Sequence, residues 1–533
     1  MTAMPATLVE ALEQAARSSE GLRFFDARGQ EAALLSYREL REAALRLAPR
    51  FAAAGLQRGD FVGLVAETSP DFIRFFYACQ YAGLVPCPLP YSMFPGGRAA
   101  CAARIDALAR AASARAVIMP AALRAAGIGD HSGQAAAWRA FSWDEIDALP
   151  AAGAPQPAGP DDLAYVQFSS GSTAEPKGVL NLQSAVCANA AAIVRHGLRL
   201  QPGDRAFSWL PLYHDMGMVG FSIAPMFAPC SVDCLAPAAF ARRPELWPAL
   251  MGACGSTITY GPPFAWGLAA GRLRDRAGEL RLDRLRVAGV GGDMVRIDLL
   301  DAFAAALAPA GFRRSAFVPS YGLAESVLAV TFAPLDAGPL TGDGQAVSCG
   351  FPLPGHELRV ADAAGRPVGA GAEGRILVRG PSVARHVLAG PGQALALQDA
   401  EGFLDTGDIG RMDADGLRVT GRAREVIIQR GRNLWPRDIE LLAERAAGVR
   451  PGDVAAFGAP NGVDDDVVTV IETGVRDPAQ RDAIRVAVAA ALASALGIAA
   501  RVALAPPRGL PVTSSGKVAR AQARRVWLEG VYE

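Results

Sequence analysis

The chain holds 533 residues, too many for one hydrophobic core, since domains usually run roughly 100–200 residues, so two or more packed units are expected. Hydrophobic residues make up 51% and charged residues 20%, a globular balance that excludes an intrinsically disordered chain. The 53 basic residues cancel 53 acidic ones, which leaves no global field to draw the protein onto nucleic acid or anionic lipid.

Residues 1–20 carry Glu10, Glu13 and Glu20 and lack a basic stretch followed by an apolar one, so no secretory leader is expected. From residue 37 the pattern alternates: an alanine-rich helix over 37–55, "DFVGLVAE", "DFIRFFYACQYAG", then "LVPCPLP". This helix–strand–helix–strand rhythm predicts an α/β fold with largely parallel sheets. Residues 151–162, rich in Pro, Gly and Ala, read as a surface loop leading into a strand at 164–168. The apolar window 219–240 is broken by Pro225, Pro229, Asp233 and Pro237, which predicts a buried core segment instead of a membrane span, so no stable membrane insertion is expected. From 351 to 421 short strands separated by Gly and Asp turns predict a small, mostly β subdomain. The expected fold is therefore α/β. A large N-terminal domain (1–421) includes that subdomain, and a smaller α+β C-terminal domain (422–533) follows, with strands near 454–457 and 467–473 and a helix over 477–496. Eight scattered cysteines without a CxxC, and five histidines, argue against structural zinc. Buried free thiols in a reducing cytoplasm are the preferred reading.

Chemistry concentrates in "YVQFSSGSTAEPKGVL", residues 165–180. Gly171 lets the backbone turn with amides outward, Ser169, Ser170, Ser172 and Thr173 add hydroxyls, and Lys177 adds a cation. Such a donor array suits a polyphosphate. The bland alternative is a polar turn between a strand and a helix. A Walker A loop fails, because Pro176 precedes Lys177 and Gly178 follows it. No GxGxxG follows a strand either, which removes the simple dinucleotide and kinase readings.

Ser-Ser-Gly-Ser-Thr-x-x-Pro-Lys-Gly resembles the phosphate loop of the adenylate-forming superfamily, with Ala174 where that family usually has glycine. Further segments follow in the family's order. "SWLPLYHDMG" resembles its His-containing segment and implies that His214 lies near the acyl carboxylate. "VGGDMVR" (Gly291, Gly292, Asp293) resembles the strand and turn flanking adenine. "PSYGLAES" resembles the signature Ser320, Tyr321, Gly322, Leu323, Ala324 and Glu325, in which the tyrosine stacks on adenine and the glutamate holds magnesium, with Thr173 as a second metal contact. "FLDTGDIG" and "GRAREVI" offer Asp408 and Arg422 for the ribose. Arg424 stands at the family's hinge, about which a mobile C-terminal domain rotates, and "PVTSSGKVAR" supplies the catalytic Lys517. Each residue taken singly has a plain structural reading; their order along the chain is what carries the resemblance.

The resemblance implies ATP- and Mg²⁺-dependent activation of a carboxylic acid to acyl-AMP with loss of pyrophosphate. The acid is already ionised at neutral pH, so no general base is required. Wording such as "YGLAESVLAV", "VSCGFPLPGHELRV" and "RGRNLWPRDIE" is most similar to fatty acyl-AMP ligases, which implies transfer to the phosphopantetheine of a separate acyl carrier protein. One departure keeps CoA open as acceptor: only residues 326–348 separate Glu325 from Cys349, little room for the extra segment usual in that group. An acyl-CoA synthetase and a non-catalytic nucleotide-binding homologue are the rival readings. The acyl pocket is expected between the His214 segment, the helix after Tyr260 and the adenine strand. Trp209, Met216, Met218, Phe221, Tyr260, Phe264 and Trp266 are its candidate walls.

Overall fold

The computed structural model describes residues 4–91, 97–129, 137–169, 177–273, 276–342, 346–390, 392–429, 432–461, 464–513 and 517–532. The alternating pattern of the first hundred residues builds a four-stranded parallel sheet of Val85–Pro90, Phe61–Ala66, Ala116–Met119 and Arg139–Ser142. Its strands Val85–Pro90, Phe61–Ala66 and Ala116–Met119 read as unbroken apolar runs because both faces are covered, whereas the edge strand Arg139–Ser142 is partly exposed. The helix expected over 37–55 divides into Tyr37–Leu47 and Arg50–Ala53. It starts on a reciprocal Ser36–Glu39 capping box and breaks at Pro49, which has no N–H to continue the ladder.

The larger sheet runs Phe351–Pro352, Ala329–Phe332, Phe317–Gly322, Val287–Val290, Ile258–Gly261, Arg205–Ser208, Ser231–Leu235, Gly21–Phe25 and Glu31–Ser36. From Phe317–Gly322 through Gly21–Phe25 the strands are all parallel, so their carboxyl ends gather on one rim. In open α/β sheets that rim is where ligands bind. The 219–240 window is buried here, and its charge, Asp233, is fully buried between Arg23 and Arg205, each 2.7 Å away. A buried carboxylate persists only when paired in this manner.

Strands Leu163–Ser169 and Lys177–Leu182 pair antiparallel, and His386–Leu388 and Ala394–Ala396 complete their sheet. The described residues that flank the motif are thus two paired strands, and Lys177 begins a strand where the plain reading had a helix. Glu357–Ala361, Gly374–Arg379, Leu404–Asp413 and Gly416–Arg422 form a separate antiparallel sheet.

The smaller C-terminal domain packs helices Pro436–Ala447, Pro478–Leu496 and Arg520–Leu528 on a sheet of Val454–Asn461, Asp464–Glu472 and Ala500–Ala505. It has apolar clusters of its own, one around Ile439, Val454, Val488 and Leu492 and one around Phe457, Val468 and Ala523. Asp477 caps the alanine-rich helix by accepting the Gln480 N–H at 2.9 Å, which sets the start of that helix. Arg296 of the large domain meets Glu444 of the small one at 2.9 Å, and Arg437 donates back to the Val295 carbonyl. Seven of the eight cysteines are buried, Cys254 is half-buried, and all are free thiols. No helix among the described residues is long and apolar enough to cross a membrane.

Candidate active site

Two cavities meet at the carboxyl rim of the large sheet. One, about 370 Å³, runs down into the sheet and is largely apolar in its depth; the other, about 790 Å³, opens between the two domains. They share Gly292, Ser320, Tyr321, Gly322, Arg422, Arg424 and Lys517. The sequence motifs converge on this junction.

Strand Phe317–Gly322 delivers Ser320 and Tyr321 to the rim and then turns sharply. A Cβ on Gly322 would lie 1.8 Å from the Leu328 carbonyl oxygen, so no other residue fits there. The turn Ala324–Ser326 is followed by Val327 at φ 66°, a left-handed conformation that a β-branched residue adopts only under constraint. This strained turn presents Glu325 to the cavity. Its loop is anchored by Ala384 N–H donating to the Glu325 carbonyl at 2.8 Å and by a buried Ser326–Ser382 contact at 3.1 Å.

The Tyr321 hydroxyl donates to Asp408 Oδ2 at 2.8 Å, and Arg422 approaches Asp408 Oδ1 at 3.2 Å. Asp408 is further fixed by its own N–H donating to Thr406 Oγ1 at 3.1 Å. Burial raises the Asp408 carboxyl above its usual range despite the Arg422 charge and the Tyr321 hydrogen bond. Burial and the neighbouring Asp408 likewise raise the Tyr321 phenol, which stays protonated and donating.

His214 caps the short helix Asp215–Met218, and its Nδ1 lies 2.6 Å from Asp215 Oδ1. Burial alone would raise the Asp215 carboxyl. The His214 charge and hydrogen bond and the Met216 N–H, donating at 2.7 Å, together hold it below the ordinary value. Lys517 comes from the C-terminal domain, its N–H donating to Thr513 Oγ1 at 3.1 Å and its carbonyl accepting from Thr513 N–H at 2.7 Å. It lines both cavities and lies within electrostatic reach of Asp215 and Asp408. Arg424 is exposed at the same junction, in the turn Ala423–Glu425. Beside it, a Cβ on Gly421 would meet the Trp435 ring at 2.2 Å, so glycine is what allows the chain to pass between the domains here.

Of the expected phosphate loop, Ser169 ends the first hairpin strand and Lys177, which lines the smaller cavity, begins the second, the two being register partners. Ser170, Gly171, Ser172 and Thr173 lie outside the described residues. Gly291 and Gly292 follow strand Val287–Val290, with Gly292 at φ 78°, and Asp293 faces the inter-domain cleft. Leu323 and Ala324 line the smaller cavity.

Glu325 bears on metal binding. Burial raises its carboxyl, and no basic side chain among the described residues ion-pairs with it. Among the described residues no group of three or more His, Cys, Asp or Glu is placed to hold a metal ion. A half-buried carboxylate lining the cavity fits Mg²⁺, which uses one or two carboxylates and completes its shell with phosphate oxygens and water.

The expected acyl walls divide. Met216, Phe221 and Tyr260 line the smaller cavity, whereas Phe264 lies on the inter-domain cleft instead. Trp209, Met218 and Trp266 line neither and belong to the core. Trp209 stacks on Phe240 with ring centroids 3.7 Å apart, and fully buried Trp266 packs edge-on against Phe303 and Phe317. The walls that sequence reasoning missed are mostly aliphatic or small: Ile193, Val194, Leu198, Leu200, Ala206, Ala224, Cys230, Ile258 and Leu328, with Phe332. Tyr260 fits because Gly289 beneath it has no Cβ, which would fall 2.0 Å from the ring. Gln167, buried beside the cavity mouth, was also missed; its amide nitrogen donates to the Tyr213 carbonyl at 2.8 Å.

Comparison with known proteins agrees with this geometry. The AMP-binding enzyme family matches residues 12–388. A Caulobacter vibrioides (strain NA1000 / CB15N) protein provisionally named an acyl-CoA synthetase is 42% identical over 99% of this chain and 96% of its own length. A Moorena producens (strain JHB) protein named medium-chain-fatty-acid–[acyl-carrier-protein] ligase JamA is 29% identical over 94% of this chain and 90% of its own. A solved structure from a study of fatty acyl-adenylate ligases from E. coli and L. pneumophila superposes with a TM-score of 0.91. It is 36% identical, covering 99% of this chain and 100% of that one. The chain belongs to the AMP-binding enzyme family, as one of its acyl-AMP-forming ligases.

Proposed function

We propose that the protein activates a fatty acid as its acyl-adenylate and passes the acyl group to the phosphopantetheine thiol of a separate acyl carrier protein. The observation that carries this reading is the junction of an apolar cavity with a polar inter-domain cleft, at which Tyr321, Arg422 and Lys517 line both. In this reading the tail of the acid fills the depth of the smaller cavity, with its carboxylate near His214, while ATP lies across the junction, from the mouth of that cavity, lined by Lys177, Gly291 and Glu325, to Asp408 in the cleft.

Attack of the carboxylate oxygen on the α-phosphorus forms one P–O bond and breaks the bond to pyrophosphate, and no proton is transferred. The obstacle is repulsion between two anions, which the protein meets by fixed positive charge and orientation. Tyr321 and Gly291 bracket the adenine, the Asp408–Arg422 pair holds the ribose, and the loop with Lys177 holds the leaving phosphates. Lys517 meets the charge that develops between carboxylate and α-phosphate. A Mg²⁺ ion on Glu325 and Thr173, when bound, supplies neutralisation of the phosphate charge. Rotation of the smaller domain about Arg424 then withdraws Lys517 and brings a second face to the adenylate. The boundary between the moving parts falls at 421–422, beside the Gly421–Trp435 contact.

A carrier is favoured over CoA by the resemblance to fatty acyl-AMP ligases around Tyr213, Cys349 and Asn433 and by the activity for which the Moorena relative is named. The name of the Caulobacter relative favours the second reading, an acyl-CoA synthetase. The test is transfer from preformed acyl-adenylate to a phosphopantetheinylated carrier and to CoA at matched concentrations. Faster transfer to the carrier is expected; faster transfer to CoA than to every carrier tried assigns the acyl-CoA synthetase instead.

A further inference from the structure

The depth of the apolar cavity is lined by Leu198, Leu200, Ala206, Cys230 and Ile258. Arg286 and Asp204, which directly precede strands Val287–Val290 and Arg205–Ser208, bond the Leu198 carbonyl and the Cys230 thiol, so this lining sits at the amino ends of the strands. Ala206 and Ile258 are register partners near the amino ends of their parallel strands, and Ile258 is level with Val287. Gly291, at the mouth, lies four residues further along the same strand direction as Val287. At about 3.3 Å per strand residue the cavity is therefore roughly 13 Å deep. An extended chain advances about 1.2 Å per bond, since one residue of three bonds spans at most about 3.3–3.6 Å. The depth then holds about ten to eleven bonds.

Leu198 and Leu200 are held rigidly. They follow a π-helical turn, Ile193–Gly197, and flank Arg199, whose φ of 46° is left-handed. The Leu198 and Leu200 N–H groups donate to the Ile193 and Val194 carbonyls at 2.7 and 2.8 Å. From beneath, Arg286 donates to the carbonyls of Leu198 and Arg199 at 3.0 and 3.2 Å. Its other edge is forked onto Asp204, at 2.9 Å to Oδ1 and in closer contact with Oδ2. Asp204 in turn accepts from Thr257 Oγ1 at 2.7 Å and from Gln201 N–H at 2.8 Å. A bidentate pair with further hydrogen bonds on both partners is a fixed element, not a surface contact.

We propose that the Arg286–Asp204 clamp sets acyl chain length, by holding Leu198 and Leu200 as the floor of a cavity sized for a linear acid of about ten carbons. This rests on the fatty-acid reading above. Arg286 is a positioning residue, since it touches no part of the substrate. Each methylene up to the floor gains about fourfold in apparent affinity, the equivalent of ~0.8 kcal/mol, and the next has nowhere to go.

The experiment is ATP–pyrophosphate exchange with linear saturated acids from six to eighteen carbons. Wild type, Arg286→Ala, Arg286→Lys, Leu200→Gly and Ala206→Met are compared, with thermal melting to check folding. Wild-type kcat/KM is expected to peak near ten carbons and fall at least tenfold by sixteen. Leu200→Gly and Arg286→Ala should move the peak two to four carbons longer, Arg286→Lys less, and Ala206→Met should move it shorter. Because Leu200→Gly and Ala206→Met leave the clamp intact, the cavity assignment is tested even where Arg286→Ala does not fold. Exchange that climbs steadily to sixteen carbons overturns the stop while leaving the fatty-acid reading in place. A folded Arg286→Ala with an unmoved profile overturns the clamp's role, and exchange with no acid overturns the reading beneath both.

Discussion

The Tyr321 hydroxyl donates to Asp408 Oδ2 at 2.8 Å, joining the end of a central strand of the large sheet to the antiparallel sheet beside it. The two residues are 87 positions apart, and both are buried. The bond fixes the face of the tyrosine ring relative to the carboxylate assigned to the ribose. Tyr321→Phe keeps the ring and removes the bond, so KM for ATP should rise several-fold with kcat little changed. Stability should fall by about 1.5–3 kcal/mol, the usual worth of a hydrogen bond to a charged group. Unchanged KM and melting temperature in the variant would show that the bond positions nothing.

Glu325 makes a prediction about pH. Its folded-state carboxyl is raised by burial. A raised acid contributes stability that is complete below its unfolded value and lost as pH rises through the folded one, so ionised Glu325 costs the free enzyme stability near neutrality. Glu325→Gln should therefore melt higher than wild type at pH 7 to 8, with the gap closing toward pH 4. The same variant should lose adenylation, because a neutral amide is a poor ligand for a hard cation, and added Mg²⁺ should restore part of it. Melting curves across this pH range decide the first point; a variant less stable than wild type at pH 8 contradicts it.

Legibility followed chemistry more closely than shape. Tyr321, Glu325, Asp408 and Lys517 could be located because each stands in a short segment that resembles a motif of the adenylate-forming superfamily, and the structure gathers them at one junction. The start of helix Pro478–Leu496 was legible for a local reason, the Asp477 cap and Pro478 behind it. The acyl cavity was not. Large aromatics near the motifs, Trp209 and Trp266, drew attention, yet large side chains fill space, and these two fill the core. The cavity exists where side chains are small, at Gly220, Ala206, Ala224 and Cys230. It is lined in part by two π-helical turns, Ile193–Gly197 and Val219–Ile223, that no periodicity announces. The sheet shared by Lys177–Leu182 and His386–Leu388 was equally hidden, since its strands are separated by some two hundred residues and paired only by tertiary packing.

The Arg296–Glu444 pair makes a prediction about domain motion. It spans the two domains at 2.9 Å, with both side chains mostly buried. If Lys517 is delivered by this arrangement, Arg296→Ala should weaken it by about 1–3 kcal/mol, the cost of an unpaired buried partner. Adenylation should slow, and transfer of the acyl group from preformed adenylate should hold or quicken. Stopped-flow measurement of each half-reaction separates the effects; equal slowing of both halves would show a general loss of structure instead.

The central claim is that Lys517, on the smaller domain, completes a site for acyl-adenylate formation built on the larger one. Its most direct test is acid-dependent ATP–pyrophosphate exchange in wild type and Lys517→Ala, with folding checked by melting. The account predicts robust exchange in wild type and a loss on the order of 10²–10³ in the variant, the usual effect of removing one charge contact to a transition state, at an unchanged melting temperature. Exchange near the wild-type rate in Lys517→Ala would contradict it.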